Sequence, residues 1–159
     1  MISPALLAQV DALQLRYIRA LDRHDMPGWA SCFGEAGSYV CIARENEEQN
    51  LPLALMMDDN TDRIKDRVNY VTQVWAGTFE DYSTRHFVQR IECRKNGAAL
   101  IAVESNFMIT YTAGNGQSET LVAGVYLDEV IVTTHGAAFR SKRAVLDTVV
   151  TPRYLVYPV

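Results

Sequence analysis

The chain has few of the residues that staple or metallate small proteins. Its three cysteines, Cys32, Cys41 and Cys93, are odd in number and lack CxxC spacing. That indicates neither a disulfide framework nor a zinc knuckle, and makes small buried thiols the expectation. The three histidines, His24, His86 and His135, lie in separate segments without the spacing of a ligand set. No run approaches the roughly 20 consecutive apolar residues of a membrane span. The opening stretch, MISPALLAQVDALQLRYIRALD, has no basic start and places polar residues throughout its apolar stripe, unlike a secretory signal. A reducing, cytoplasmic compartment is therefore expected. The formal net charge is −4, from 15 Lys and Arg against 19 Asp and Glu, without a dense basic cluster. Such a chain does not attract phosphate backbones, so neither nucleic acid nor membrane is an expected partner. The longest charge runs, RENEE (Arg44 to Glu48) and RSKR (Arg140 to Arg143), are short and of opposite sign, and are expected at solvated or interface surface.

What the chain does have is apolar content. At 159 residues and 48% apolar, it suits one compact domain over residues 1–159. A domain of that size buries roughly 68–70% of its unfolded surface and needs no staple. No internal repeat, linker or low-complexity segment divides it.

Ser3-Pro4 suit N-cap and first-turn positions, and Leu6, Val10, Leu13, Tyr17 and Leu21 form the stripe of a core-facing helix running to about Arg23. Pro27-Gly28 ends that pattern, and Trp29 and Phe33, four apart, share one face of a short second helix. GSYVCIA, Gly37 to Ala43, has strand-like content, and RENEEQNLPLALMMDDN reads as a long loop holding an apolar patch, Leu51 to Met57. Ile64, Val68, Val71 and Trp75 mark a third helical segment, with possible N-caps at Asp58 to Thr61.

From Thr84 the period changes to two. Ile101, Val103, Ser105, Phe107, Ile109 and Tyr111 alternate with Leu100, Ala102, Glu104, Asn106, Met108 and Thr110, the pattern of a strand facing a core on one side. Turn signals at Asn96-Gly97, Gly114-Asn115-Gly116 and His135-Gly136 separate four long strands. These are expected at about Thr84 to Cys93, Ala98 to Thr112, Ser118 to Thr133 and Ala138 to Leu146. The simplest topology is an antiparallel meander, and helices followed by a meander spell α+β. Strands this long twist and curl, so the concave face is where the helical stripes bury.

The segments ALDRHDMPGW, RENEEQNLPLALM, DRIKDRV before Trp75, TRHFV, VAGVYLDEV, RAVLDT and the closing YLVYPV, in this order and spacing, cover nearly the whole chain. Together they resemble the small (beta) subunit of aromatic ring-hydroxylating, Rieske non-heme iron oxygenases. RENEEQNLPLALM and GVYLD look most like subunits of enzymes acting on aromatic carboxylates such as salicylate, anthranilate, benzoate or terephthalate. The resemblance implies the nuclear-transport-factor-2-like (cystatin-like) fold, a cone-shaped, strongly curved antiparallel sheet wrapped around N-terminal helices. It also implies a non-catalytic structural role beside an alpha subunit that carries the Rieske [2Fe-2S] cluster and a mononuclear iron. The implied assembly is alpha3-beta3, with a homotrimer of beta subunits as its base.

The residues agree that oxygen chemistry belongs elsewhere. A Rieske cluster needs two Cys and two His, and the mononuclear iron two His and a carboxylate. No cysteine here begins a C-x-H or C-x-x-H motif, so no catalytic, cofactor or metal residue is assigned. Adhesion has two candidates: the Leu51, Leu53, Leu55, Met56, Met57 cluster, and the tail TPRYLVYPV. The opposing reading is self-packing, with the loop covering the sheet's open end.

An alternative from another class is a stand-alone dehydratase or isomerase, or a small-ligand binding module, built in the cone. Asp25 and His86 would then be the acid–base residues, with Tyr39 and Arg143 also facing the cavity. Each has an ordinary explanation: core packing for Tyr39, an acidic neighbour for Arg143, a hydrogen-bonded polar group or subunit contact for His86. The His24-Asp25 pair reads as a solvated helix end. Trp29, Phe33, Trp75 and Phe107 could stack an aromatic ligand, but their apolar stripes make them core residues first. For Tyr17 to Tyr39 the economical reading is closure, with Trp29 and Phe33 plugging the cone.

Overall fold

The computed structural model describes residues 2–97 and 99–159; Ala98, expected to open the second long strand, lies outside them. Helix α1 spans Pro4–Asp22, its N-cap Ser3 accepting a hydrogen bond from the Leu6 N–H. It buries Val10, Leu13, Tyr17, Ala20 and Leu21. His24 then adopts a left-handed backbone (φ 56°), which turns the chain into a five-residue helix α2, Met26–Ala30. Phe33 lies beyond the end of α2 rather than on it, yet packs on Trp29 with ring centroids 5.1 Å apart.

Strand β1, Tyr39–Ala43, is followed by helix α3, Arg44–Glu48, and strand β2, Ala54–Asp58. The segment read as a long loop thus contains two regular elements. Pairing with β1 decides the matter: Met56 lies opposite Cys41 and Asp58 opposite Tyr39, a tertiary partner that local pattern does not reveal. Helix α4, Thr61–Asn69, is capped by Asn60, whose side chain accepts from the Arg63 N–H at 3.0 Å, and runs into one wider turn at Tyr70–Val74.

Four long strands complete the sheet: β3, Ser83–Lys95; β4, Leu100–Thr112; β5, Ser118–Thr133; and β6, Gly136–Leu146. They form the expected meander. Beyond the meander, β1 docks parallel to β6 and brings the antiparallel β1–β2 hairpin with it, the sheet's one parallel pairing among the described residues. Among the described residues the order is β2-β1-β6-β5-β4-β3, six strands curved and not closed.

Register shifts in the β3–β4, β4–β5 and β5–β6 ladders add the local twist that curls the sheet. Gly124 marks the tightest point, for a Cβ there would lie 2.0 Å from the Val145 main-chain oxygen. Any other residue would force β5 and β6 apart. The concave face holds the main core, with α1, α2 and α4 against Tyr39, Cys41, Val103, Phe107, Ile109, Tyr126 and Phe139. This is the α+β cone wrapped around N-terminal helices.

Candidate functional site

The closure region comes first. Trp29 is fully buried, edge-on to Phe33 and to Tyr39, at 5.1 and 5.5 Å between centroids. The Tyr17 hydroxyl donates to the Val159 main-chain oxygen at 2.7 Å, and the Tyr39 hydroxyl accepts from the Val159 N–H at 2.9 Å. Burial holds both phenols well above their ordinary range, so both protons stay in place. Tyr39 is therefore a core residue that ties down the end of the chain, and Trp29 and Phe33 plug the cone.

Asp25 spends its carboxylate on capping α2, accepting from the Gly28 N–H at 2.9 Å. His24 is not the solvated helix end the sequence suggested: its ring stacks on Tyr157 at 4.2 Å. Asp25 and His86 do not meet. His86 instead places Nδ1 2.6 Å from Asp22 Oδ1, with its own N–H donating to Asp22 Oδ2 at 3.2 Å and the Thr84 hydroxyl to Oδ1 at 2.9 Å. Burial works against the charge on Asp22, but these donors outweigh it and hold the carboxyl below its ordinary value. Asp22 so latches the end of α1 to β3. Arg143 has the acidic neighbour expected of it, a fork onto Glu47 at 2.5 to 2.9 Å. The four residues considered for acid–base work do not converge on one cavity.

The run RSKR is only in part surface, because Lys142 is completely buried. Its Nζ donates to Asp128 Oδ2 at 2.9 Å and to Gln14 Oε1 at 3.1 Å, and lies 3.6 Å from the centre of the Tyr126 ring. Tyr17 and Phe139 flank it at 4.5 Å. Burial pushes Asp128 up and Lys142 down, each opposed by the other's charge. Sequence reasoning missed this pair, as it missed Asp22. The signal was there: Asp128 alternates inward with Tyr126 and Val130, and Lys142 with Ala144 and Leu146.

The other aromatics have structural occupations too. Phe107 stacks on Tyr126 at 4.1 Å inside the core. Trp75 sits half-buried beside Tyr70, over a shallow hollow that includes the Asp58–Arg67 ion pair.

Iron has no seat among the described residues, where no three or more His, Cys, Asp and Glu side chains gather to hold an ion. Burial pushes the Cys32 thiol up and Cys41 up to about 12, so neither offers a thiolate near neutrality. The donor set fits neither a Rieske cluster nor a mononuclear iron. Among the described residues, no helix is long and apolar enough to cross a membrane.

Outward, the sheet exposes several apolar side chains. Phe87 on β3 and Met108 on β4 are cross-strand partners, 56% and 40% exposed. Leu55 and Met57 on the edge strand β2 are 54% and 37% exposed, and Leu127 on β5 also faces out. Of the two adhesion candidates, β2 buries Met56 but offers Leu55 and Met57 to solvent, whereas the tail buries Val156 and Val159 and leaves Tyr154 exposed.

Comparison with known proteins agrees with this geometry. Residues 16–153 match the family model described as the ring hydroxylating beta subunit. The chain is similar to the anthranilate 1,2-dioxygenase small subunit of Burkholderia cepacia, at 30% identity over 95% of this chain and 92% of that one. Among solved structures, a chain from Novosphingobium aromaticivorans assigned as the beta subunit of an aromatic-ring-hydroxylating dioxygenase has a TM-score of 0.81 at 24% identity, covering 92% and 94% of the two chains. The beta subunit of benzoate 1,2-dioxygenase from Burkholderia mallei has a TM-score of 0.74 at 18% identity, covering 92% of each. The family model over residues 16–153 and the 30% identity to a dioxygenase small subunit lead to one assignment: the chain belongs to the ring hydroxylating beta subunit family of aromatic dioxygenases.

Proposed function

We propose that this chain is a non-catalytic beta subunit that assembles its oxygenase, as a homotrimer supporting an alpha3-beta3 complex in the cytoplasm. Residues 1–159 act in it as one domain. The alpha subunit carries the Rieske cluster and the mononuclear iron, and hydroxylates an aromatic ring during aromatic catabolism. The likeness to an anthranilate dioxygenase subunit favours a ring bearing a carboxylate. The observation that carries the reading is the outward sheet face, where Phe87, Met108, Leu55 and Met57 stand exposed while the main core lies on the other side. Apolar surface on a folded subunit gains most by association, because burial removes it from water. Mixing the chain with its alpha subunit should give a larger complex whose hydroxylation needs both parts, and Phe87→Glu should weaken that complex. An unchanged complex in Phe87→Glu, or hydroxylation by the alpha subunit alone, would overturn the proposal.

The Asp22–His86 pair supports a second reading, acid–base chemistry by this chain alone. A carboxylate on Nδ1 is the arrangement that orients a basic imidazole, and His86 Nε2 is buried without a partner among the described residues. Turnover of a hydroxylated ketone by the isolated chain, abolished by His86→Gln, would carry it; inert protein would end it.

A further inference from the structure

Past Thr148 the chain leaves the sheet, crosses solvent and returns into the cone. Val149 and Val150 stand 92% and 82% exposed, while Val156 and Val159 are buried. Among the described residues, no main-chain group from Val149 to Val159 bonds to another main-chain group. Side chains take over instead. The Val156 N–H donates to the Tyr82 hydroxyl at 3.4 Å and the Val159 N–H to the Tyr39 hydroxyl at 2.9 Å. The Val159 main-chain oxygen accepts from the Tyr17 hydroxyl at 2.7 Å and from that of Tyr39 at 3.3 Å. Between these anchors the Tyr157 ring stacks on His24 at 4.2 Å, with Phe79 and Tyr82 edge-on at 6.0 and 5.7 Å. Segments that belong to a sheet or helix satisfy their main chain within it; this one is satisfied by the side chains of a pocket, as a guest would be.

We propose that this pocket is a binding site for an extended apolar peptide, filled by the chain's own tail, which releases as one unit while the sheet stays folded. The last strand ends at Leu146, so release breaks no ladder bond. The order of burial supports a single unit. The deepest contacts lie farthest along the chain and the exposed stretch lies nearest the sheet, so the tail is a strap anchored at its far end. The pocket also selects. Tyr17 and Tyr39 read the oxygen and the N–H of one residue, His24 takes an aromatic ring two positions earlier, and the dry walls disfavour a charged side chain. The pocket belongs to the concave side, apart from the outward face, so it does not rest on the proposed subunit role.

The test uses the full chain. In native-state hydrogen exchange the Val156 and Val159 amides should share one opening constant that depends little on denaturant, whereas Val103 and Val130 should respond steeply. Simple fraying predicts another order, with Val159 the faster. Tyr39→Phe, which keeps the ring and removes both bonds to Val159, should raise the two tail constants together, by about tenfold. Val159→Lys puts an ammonium where there is no water and should eject the strap. A fluorescein-labelled peptide YLVYPV should then bind that variant saturably, at least about tenfold more tightly than the wild type, whose site is filled. The proposal is overturned if Val159 exchanges faster than Val156, or if both exchange only together with Val103 and Val130. It is equally overturned if Val159→Lys unfolds the sheet by circular dichroism, or if the peptide binds variant and wild type alike or binds neither.

Discussion

Two apolar segments look alike in the sequence and end in opposite environments. The tail, 151–159, inserts Val156 and Val159 beneath the helices, where Tyr17 and Tyr39 hold the last residue by hydrogen bonds. Within 51–57, only the residues from Ala54 on join the edge strand β2 that pairs with β1, where Met56 is buried while Leu55 and Met57 are exposed. Composition could not separate them. What separates them is partner geometry: the tail meets a pocket of buried hydroxyls, and the edge strand meets a sheet whose alternation leaves half its side chains in water. Apolar content alone thus does not say whether a segment is buried, and the fold does.

The comparison breaks most severely on the sealed side. Lys142→Met leaves Asp128 buried without its counter-charge and should cost about 3–5 kcal/mol in chemical denaturation. Adding Asp128→Leu should recover most of that loss. Trp29→Ala opens a cavity beneath the tail, with an expected loss of about 3–5 kcal/mol, read as a lower denaturation midpoint without a change in slope.

Smaller effects follow at the latches. Tyr17→Phe removes the 2.7 Å bond to the Val159 main chain and should cost about 1–3 kcal/mol, with faster hydrogen exchange at the tail. Asp22 binds its proton less tightly in the folded chain than in the unfolded one. Its stabilising contribution is therefore full above the ordinary value of 3.8 and is lost as pH falls through the lower folded value. Asp22→Asn should flatten that part of the acid limb, seen by comparing urea midpoints of both proteins across pH 2 to 5, on the order of the free carboxyl range. Smallest of all is the expected effect of Leu55→Glu on the isolated chain, within about 0.5 kcal/mol of wild type, because the side chain already faces water. A large stability loss there would mean that the edge strand is self-packed and the contrast is wrong.

Much of the fold was legible because it rests on periodicity. The α1 stripe, the alternation of β4 and the glycine turns each encode their element locally, and their boundaries fall within a few residues of those read from the chain. The β1–β6 parallel joint was not legible, since it depends on contacts a hundred residues apart between Val40 and Arg143 and their neighbours. The polar interior was missed for a related reason. Asp128 and Lys142 look like surface charges until alternation on two adjacent strands is read jointly, and Asp22 looks like a helix end until β3 arrives beside it. Asp25 and His86, close in chemistry, were drawn to different partners.

The most direct test of the central claim is the mass of the particle formed when this chain is mixed with its alpha subunit, by light scattering on an eluting peak. The account predicts equimolar subunits in a particle of three alpha and three beta chains, lost or shrunken with Phe87→Glu. A beta chain that stays monomeric and elutes apart from the alpha subunit would contradict it.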